Sequence, residues 1–343
     1  FKADLFAENA GSGRDSLIDY EASLRGYELV EGLSDRLRMR YEDQDDKLAL
    51  SDRGTTYIGD ALKSAHALWA ARSEMRFAES AFQFMERNKF QLLLEFFRNS
   101  HFQIAGELGN STLQDLDALR RRCAELDFLL SQPNLPIDSQ RIYRNELLVD
   151  RQDLRSMQDS LQKSSRLFKT VYADQSTVTL DSLQHSIQDP RMAVVNYALT
   201  DSALFVLLVN HSGVHFRMQP LPTAFADSVE TWLGLCRDLG TELQQVRTFA
   251  RLGYAIQELL LGPELLSLGD DVDHLLIIPD GILSNLPFEA LLSEVSLKTP
   301  KDYGKLPFLI KKYQIYYAPS ARLWMEQRDL RFTSGPLECL GIA

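Results

Sequence analysis

The sequence predicts an α plus α/β protein of 343 residues: helical repeats, a helical hairpin, then a layered α/β domain. Three observations lead there. No proline occurs before Pro133, and apolar residues recur at spacings of three and four through that stretch. From about residue 176 the periodicity changes to short apolar runs separated by turn residues. One of these runs, Leu275 to Ile278, is continuously apolar and ends on Pro279-Asp280-Gly281. A strand covered on both faces and closed by a sharp turn has this pattern. The expected divisions are 1–110 for the repeats, 111–172 for the hairpin and 173–343 for the α/β part.

Within 1–110 the stripes are Leu17, Tyr20, Leu24, Tyr27, Val30, Leu33 and Leu37; Tyr57, Ala61, Leu62, Ala65, Leu68 and Trp69; Phe77, Ala81, Phe82, Phe84 and Met85; and Phe90, Leu92, Leu93, Phe96 and Phe97. Aromatic and small residues are mixed in these stripes, which lets neighbouring helices interlock. Helices are expected over 112–132 and 138–168, with Ser131-Gln132-Pro133-Asn134-Leu135-Pro136 as the break. Leu113, Leu116, Leu119, Cys123, Leu126 and Leu130 form one stripe, and Leu147, Leu148, Leu154, Met157 and Leu161 a weaker one. An antiparallel hairpin follows, with Cys123 in its seam.

Strands are expected at 192–199, 203–210 and 214–220, joined by Thr200-Asp201-Ser202 and His211-Ser212-Gly213. Two helices follow at about 223–239 and 241–261, the second ended by Gly262-Pro263, and then a strand at 274–278. After Gly281, Pro287 suits the first turn of another helix. Gly281 is expected at positive φ.

Composition narrows the function. Hydrophobic residues make up 45% and charged residues 25%, ordinary for a globular protein. A formal charge of −11 argues against a general nucleic-acid or anionic-membrane binder. Arg120-Arg121-Arg122 is the densest basic run, and reads as a solvated helical face pairing with nearby carboxylates. The three cysteines, Cys123, Cys236 and Cys339, stand far apart. That spacing fits a reducing, cytoplasmic compartment and no zinc site. No run approaches the length of a membrane span.

Known enzyme signatures are missing: there is no Walker-type loop, no paired-cysteine metal spacing and no H-E-x-x-H. Gly11-Ser12-Gly13 is a short loop before a helix start. Asp45-Asp46 and Asp270-Asp271 read as loop and cap residues. The six histidines are His66, His101, His185, His211, His215 and His274. None stands beside a cysteine in a recognisable motif. His215 with Cys236 is the pair that could meet in space, although Cys236 sits among Leu233, Leu235 and Leu239. Cys339 lies in Leu337-Glu338-Cys339-Leu340-Gly341-Ile342-Ala343, a strand pattern apolar on both faces, so core packing is expected of it rather than catalysis.

The segment from Asp273 to Leu292, DHLLIIPDGILSNLPFEALL, resembles the hallmark of the CHAT domain, a caspase-like peptidase module usually attached to TPR helices. Ala193 to Asp201 leading into Leu204 to Val209 is similar to that family's opening strand pair. Tyr313-Gln314-Ile315-Tyr316-Tyr317-Ala318-Pro319-Ser320-Ala321 is similar to its Y-x-I-x-Y-x-P-S-A element. Leu337 to Ala343 resembles the first strand of the catalytic half. Ala81 to Glu95, AFQFMERNKFQLLLE, resembles the degenerate last TPR unit that precedes such domains, though a strict repeat of ~34 residues is not visible. Within it, Glu86 and Lys89 are either a surface pair or a buried polar tie between helices.

The resemblance implies a TPR-like solenoid, a hairpin spacer and the front, pseudo-caspase part of a CHAT domain. The whole protein would be a cysteine endopeptidase of the caspase and separase type, with a downstream cysteine attacking a peptide carbonyl and a downstream histidine shuttling the proton. Those two residues are expected beyond residue 343, so the chain alone is expected to be inactive. No catalytic, cofactor-binding or metal residue is assigned within it, and no cofactor. The implied partners are a protein activator on the TPR-like helices, a protein substrate and the protein's own catalytic half. The alternative is a non-catalytic TPR/CHAT scaffold that works only through protein binding. Both ends read as cuts within a longer protein, with natural processing as one possible origin.

Overall fold

The computed structural model describes residues 3–4, 16–40, 44–99, 110–130, 135–164, 178–238, 242–269, 271–294 and 303–328. The chain forms two compact units, Phe1–Thr177 and Val178–Ala343.

The first unit is helical. Helices α1 (Ser16–Arg40), α2 (Gln44–Arg72) and α3 (Met75–Asn99) pack in sequence, α1 on α2 and α2 on α3. Ala61, Leu62, Ala65 and Leu68 of α2 and Phe77, Ala81, Phe82 and Met85 of α3 are all buried, and the two helices pack together. The stripe expected on α1 is only half right. Leu24 and Tyr27 are buried, but Leu17, Val30 and Leu33 are exposed. Two successive steps of three from Tyr27 fall behind a helical turn of roughly 3.6 residues, so Val30 and Leu33 rotate outward. Glu31 takes the inward place instead and pairs with Arg87 at 2.8 Å. Glu86 and Lys89 are 7% and 4% exposed, so they are buried rather than a surface pair.

Helices α4 (Asn110–Leu130) and α5 (Ile137–Ser164) pack as a hairpin. Leu116 meets Leu161, Leu154 and Met157; Cys123 and Leu126 meet Leu147, Tyr143 and Leu154. Leu148 does not join them and is 69% exposed, because neighbouring helical residues point about 100° apart. The α5 seam position is Asp150, buried and 3.0 Å from Arg122 Nε. Arg122, from the basic run, thus pairs with a carboxylate as expected.

The second unit is built on a five-stranded mixed sheet in the order β3-β2-β1-β4-β5. Its strands are β1 (Met192–Leu199), β2 (Ala203–Asn210), β3 (Gly213–Pro220), β4 (His274–Ile278) and β5 (Gln314–Tyr317). The two hairpin contacts are antiparallel, and β1–β4 and β4–β5 are parallel. Every residue of β2 is buried, so both sheet faces are covered. One face carries Val195, Tyr197, Val206, Leu208, Leu275 and Ile277. It packs on helices α7 (Phe225–Arg237) and α8 (Leu243–Ser267) through residues such as Val229, Trp232, Phe249 and Leu260. On the other side α6 (Leu180–Ser186) packs on β2, and α9 (Ala321–Arg328) packs on α6. The predicted α plus α/β class holds.

Two expectations fail here. Helix α8 does not end at Gly262-Pro263 but runs to Ser267 with Pro263 inside it. A proline strands a carbonyl one turn earlier, and the sheet supplies side-chain donors to it: Arg217 Nη2 lies 3.2 Å from Leu259 O. The chain after β4 is also not an α-helix but two 3-10 turns, Gly281–Asn285 and Phe288–Ala290. Pro287 interrupts the amide series, and the buried residues Leu283, Leu286, Phe288, Leu291 and Leu292 would spread around every side of a helix. Separate short turns let each of them point inward.

Candidate functional site

In an open α/β sheet, ligands bind outside the carboxyl ends of the strands, where successive connections leave to opposite faces. Here that place lies between β4 and β5. The connection after β4 puts Leu283, Leu286, Phe288 and Leu309 into the layer of α7 and α8. The connection after β5 forms α9, on the side of α6. Among the described residues, the polar side chains at and just after the carboxyl ends of β4 and β5 include Asp280, Glu289, Tyr317 and Ser320.

Each of them is engaged by the protein itself. Asp280 is buried, and its Oδ2 accepts from Leu199 N at 2.7 Å, tying the β4 turn to the end of β1. Gly281 follows at φ +53°, the left-handed region expected of it. The Tyr317 hydroxyl accepts from Phe288 N at 2.9 Å and donates to the Glu289 carboxylate, so β5 is tied to the second 3-10 turn. Burial, and then Glu289, push the Tyr317 phenol well above its usual range, so it stays protonated at neutral pH. Ser320 is buried, and its Oγ accepts from Leu323 N at 3.1 Å at the start of α9. Among the described residues no base is hydrogen-bonded to this cap serine, so it lacks the setting of an activated nucleophile.

The described thiols fare no better. Cys123 is buried in the hairpin seam. Cys236 on α7 packs against the apolar layer, and burial pushes its thiol up to about 11, with Arg237 opposing only in part. A thiol there is protonated at neutral pH and a poor nucleophile. Among the described residues no histidine bears on it; His215 is an exposed residue of edge strand β3. Cys339 lies outside the described residues, as do His101, Asp270 and Gly11-Ser12-Gly13.

The other histidines have structural settings. His274 sits at the amino end of β4, away from the crevice. Its Nδ1 is 2.6 Å from Asp273 Oδ1, and its ring stacks on Tyr316 with centroids 6.0 Å apart. Arg191 also pairs with Asp273 and holds that carboxyl below its usual range, with His274 adding to the effect. His185 Nδ1 lies 2.8 Å from Asp181 O on α6. Burial lowers the pKa of His66. Asp45 and Asp46 fall in the first turn of α2 rather than in a loop. Among the described residues no three His, Cys, Asp or Glu side chains converge as a metal site would.

Sequence reasoning missed the Asp280–Leu199, Tyr317–Glu289 and Arg217–Glu264 contacts. The only advance signal was the turn chemistry at Asp280.

The second half of this α/β unit, including the turns behind β4 and β5, is similar to the CHAT domain family. The CHAT domain family model matches residues 250–337, from within α8 through β4, the 3-10 turns, β5 and α9. No curated protein matches the chain.

Proposed function

We propose that this chain is the non-catalytic front portion of a caspase-like CHAT cysteine peptidase, and that its helical unit is a TPR-like surface for a protein that regulates proteolysis. The observation that carries this reading is the CHAT-matched region after β4 and β5, where among the described residues Asp280 and Tyr317 tie strand ends and Ser320 caps α9. A cysteine peptidase needs a thiolate beside a histidine, and neither described thiol has that setting. On this reading the nucleophile and its base lie outside the described residues, and the substrate is a protein. The partners are then the catalytic half, on the second unit, and an activator, on the helices. The division into 1–110, 111–172 and 173–343 belongs to the same proposal. A cytoplasmic location fits Cys123 and Cys236 standing outside any disulfide among the described residues, and the lack there of any helix long and apolar enough to cross a membrane.

The braced crevice also favours a second reading, a scaffold that acts only by binding. The test is thiol-dependent cleavage by the longest natural product that contains this chain. Cys123→Ala and Cys236→Ala should each leave turnover within about twofold of the parent, since buried apolar thiols do not carry chemistry. Loss of turnover in either, with native folding retained, contradicts the proposal. No turnover by the parent, with or without candidate activators, supports the scaffold.

A further inference from the structure

Helix α8 and the sheet share one buried polar cluster that the functional reading does not use. Pro263 has no N–H, so the carbonyl of Leu259 has no helical donor. Three strands present one row of side chains to this point: Tyr197 on β1 is the register partner of Val206, and Val206 of Arg217 on β3. The Tyr197 hydroxyl donates to Leu260 O at 3.2 Å. Arg217 Nη2 donates to Leu259 O at 3.2 Å and to Leu260 O at 3.4 Å. The same guanidinium grips Glu264, the residue after the proline, with Nε–Oε1 at 2.6 Å and Nη2–Oε2 at 2.8 Å. Its Nη1 goes to Gln219 Oε1. Glu264 is buried, and each guanidinium nitrogen of Arg217 makes at least one hydrogen bond within the protein.

We propose that Arg217 is a conformational clamp: it supplies the hydrogen bond that Pro263 removes from α8, so the last turn of α8 and the lead into β4 are held by edge strand β3. A helix that lost a bond to proline would otherwise kink or end there. With the clamp, the helix closes normally at Leu268 N to Glu264 O, 3.1 Å. The consequence is a defined mechanical link. β3 lies at one edge of the sheet, so displacement of that edge releases the turn that feeds the strand bearing the Asp280 brace. The clamp does not depend on the peptidase reading, because it rests only on the geometry around Pro263.

The experiment is native-state hydrogen exchange at the amides of 265–268, read in a Glu264→Gln background so that no buried charge is left alone. Arg217→Met should speed exchange there roughly tenfold or more, the size of one charge-assisted hydrogen bond. Amides of 250–257 should change far less. Adding Pro263→Ala restores the helical donor to Leu259 O and should shrink the Arg217→Met effect severalfold. Arg217→Lys in the otherwise unaltered chain, which keeps the charge but loses the fork, should fall between parent and Met. An Arg217→Met effect of equal size with and without Pro263→Ala overturns the proposal. So does a Lys variant indistinguishable from the parent, which would reduce the contact to simple charge pairing. If Arg217→Met does not fold in any background, the Lys variant with and without Pro263→Ala decides on the same criterion.

Discussion

Phe288→Ala should destabilise the α/β unit by about 3–5 kcal/mol, the largest single loss expected in the chain. Phe288 is fully buried. Its ring lies 5.6 Å from Tyr197 at 32° and 6.3 Å from Tyr317 at 60°. Its N–H donates to the Tyr317 hydroxyl. Truncation therefore opens a cavity, removes two aromatic contacts and loosens the strap across the carboxyl ends of the parallel strands. Urea unfolding should show it as an earlier transition of the second unit, read through buried Trp232. The transition of the helical unit should not move. A loss below about 1 kcal/mol would mean that the ring fills no closed space.

Gly281→Val should cost roughly 1–3 kcal/mol in the same unit, for a different reason. A Cβ at residue 281 would lie 3.6 Å from Leu199 Cδ2, an ordinary contact, so space is not the obstacle. The obstacle is φ +53°, which a β-branched residue adopts only under strain. Gly281→Asn, whose side chain tolerates that region, should lose much less than Val. Equal losses for Asn and Val would place the cost in packing rather than in the backbone. An unchanged unfolding midpoint for Val would show that the turn readily takes another conformation.

Much of the α/β unit was legible because its signals are local. The strand runs 192–199 and 203–210 are bounded by turn residues on both sides, and the structure places β1 and β2 there. The same holds for the turn after Ile278, where Pro, Asp and Gly each restrict a different part of the backbone. What failed needed partners far away in the chain. Pro263 reads as a stop until Arg217, from β3, is seen to donate to Leu259 O. Pro287 reads as a helix start until five apolar residues around it are seen to need five directions inward. On α1, spacing alone could not show that Glu31, paired with Arg87 of α3, would take the inward position that Val30 gives up. The crevice was the least legible part. Asp280 finds Leu199 across 81 positions, and Tyr317 finds Glu289 across 28, and no short motif encodes either contact. The recognisable element, the run from Asp273 to Leu292, lies within the matched CHAT segment, but it does not reveal which contacts its side chains make.

Under the proposed reading the chain is the front of a CHAT domain and does no peptidase chemistry by itself. The measurement that tests it most directly is peptidase turnover by the isolated 343-residue chain on a diverse peptide library, with and without iodoacetamide. No turnover above the uncatalysed rate is predicted in either arm, because a thiol pushed up to about 11 and a serine capping a helix cannot attack a peptide carbonyl. Cleavage that iodoacetamide abolishes, and that one cysteine-to-alanine substitution removes without unfolding the chain, would contradict it.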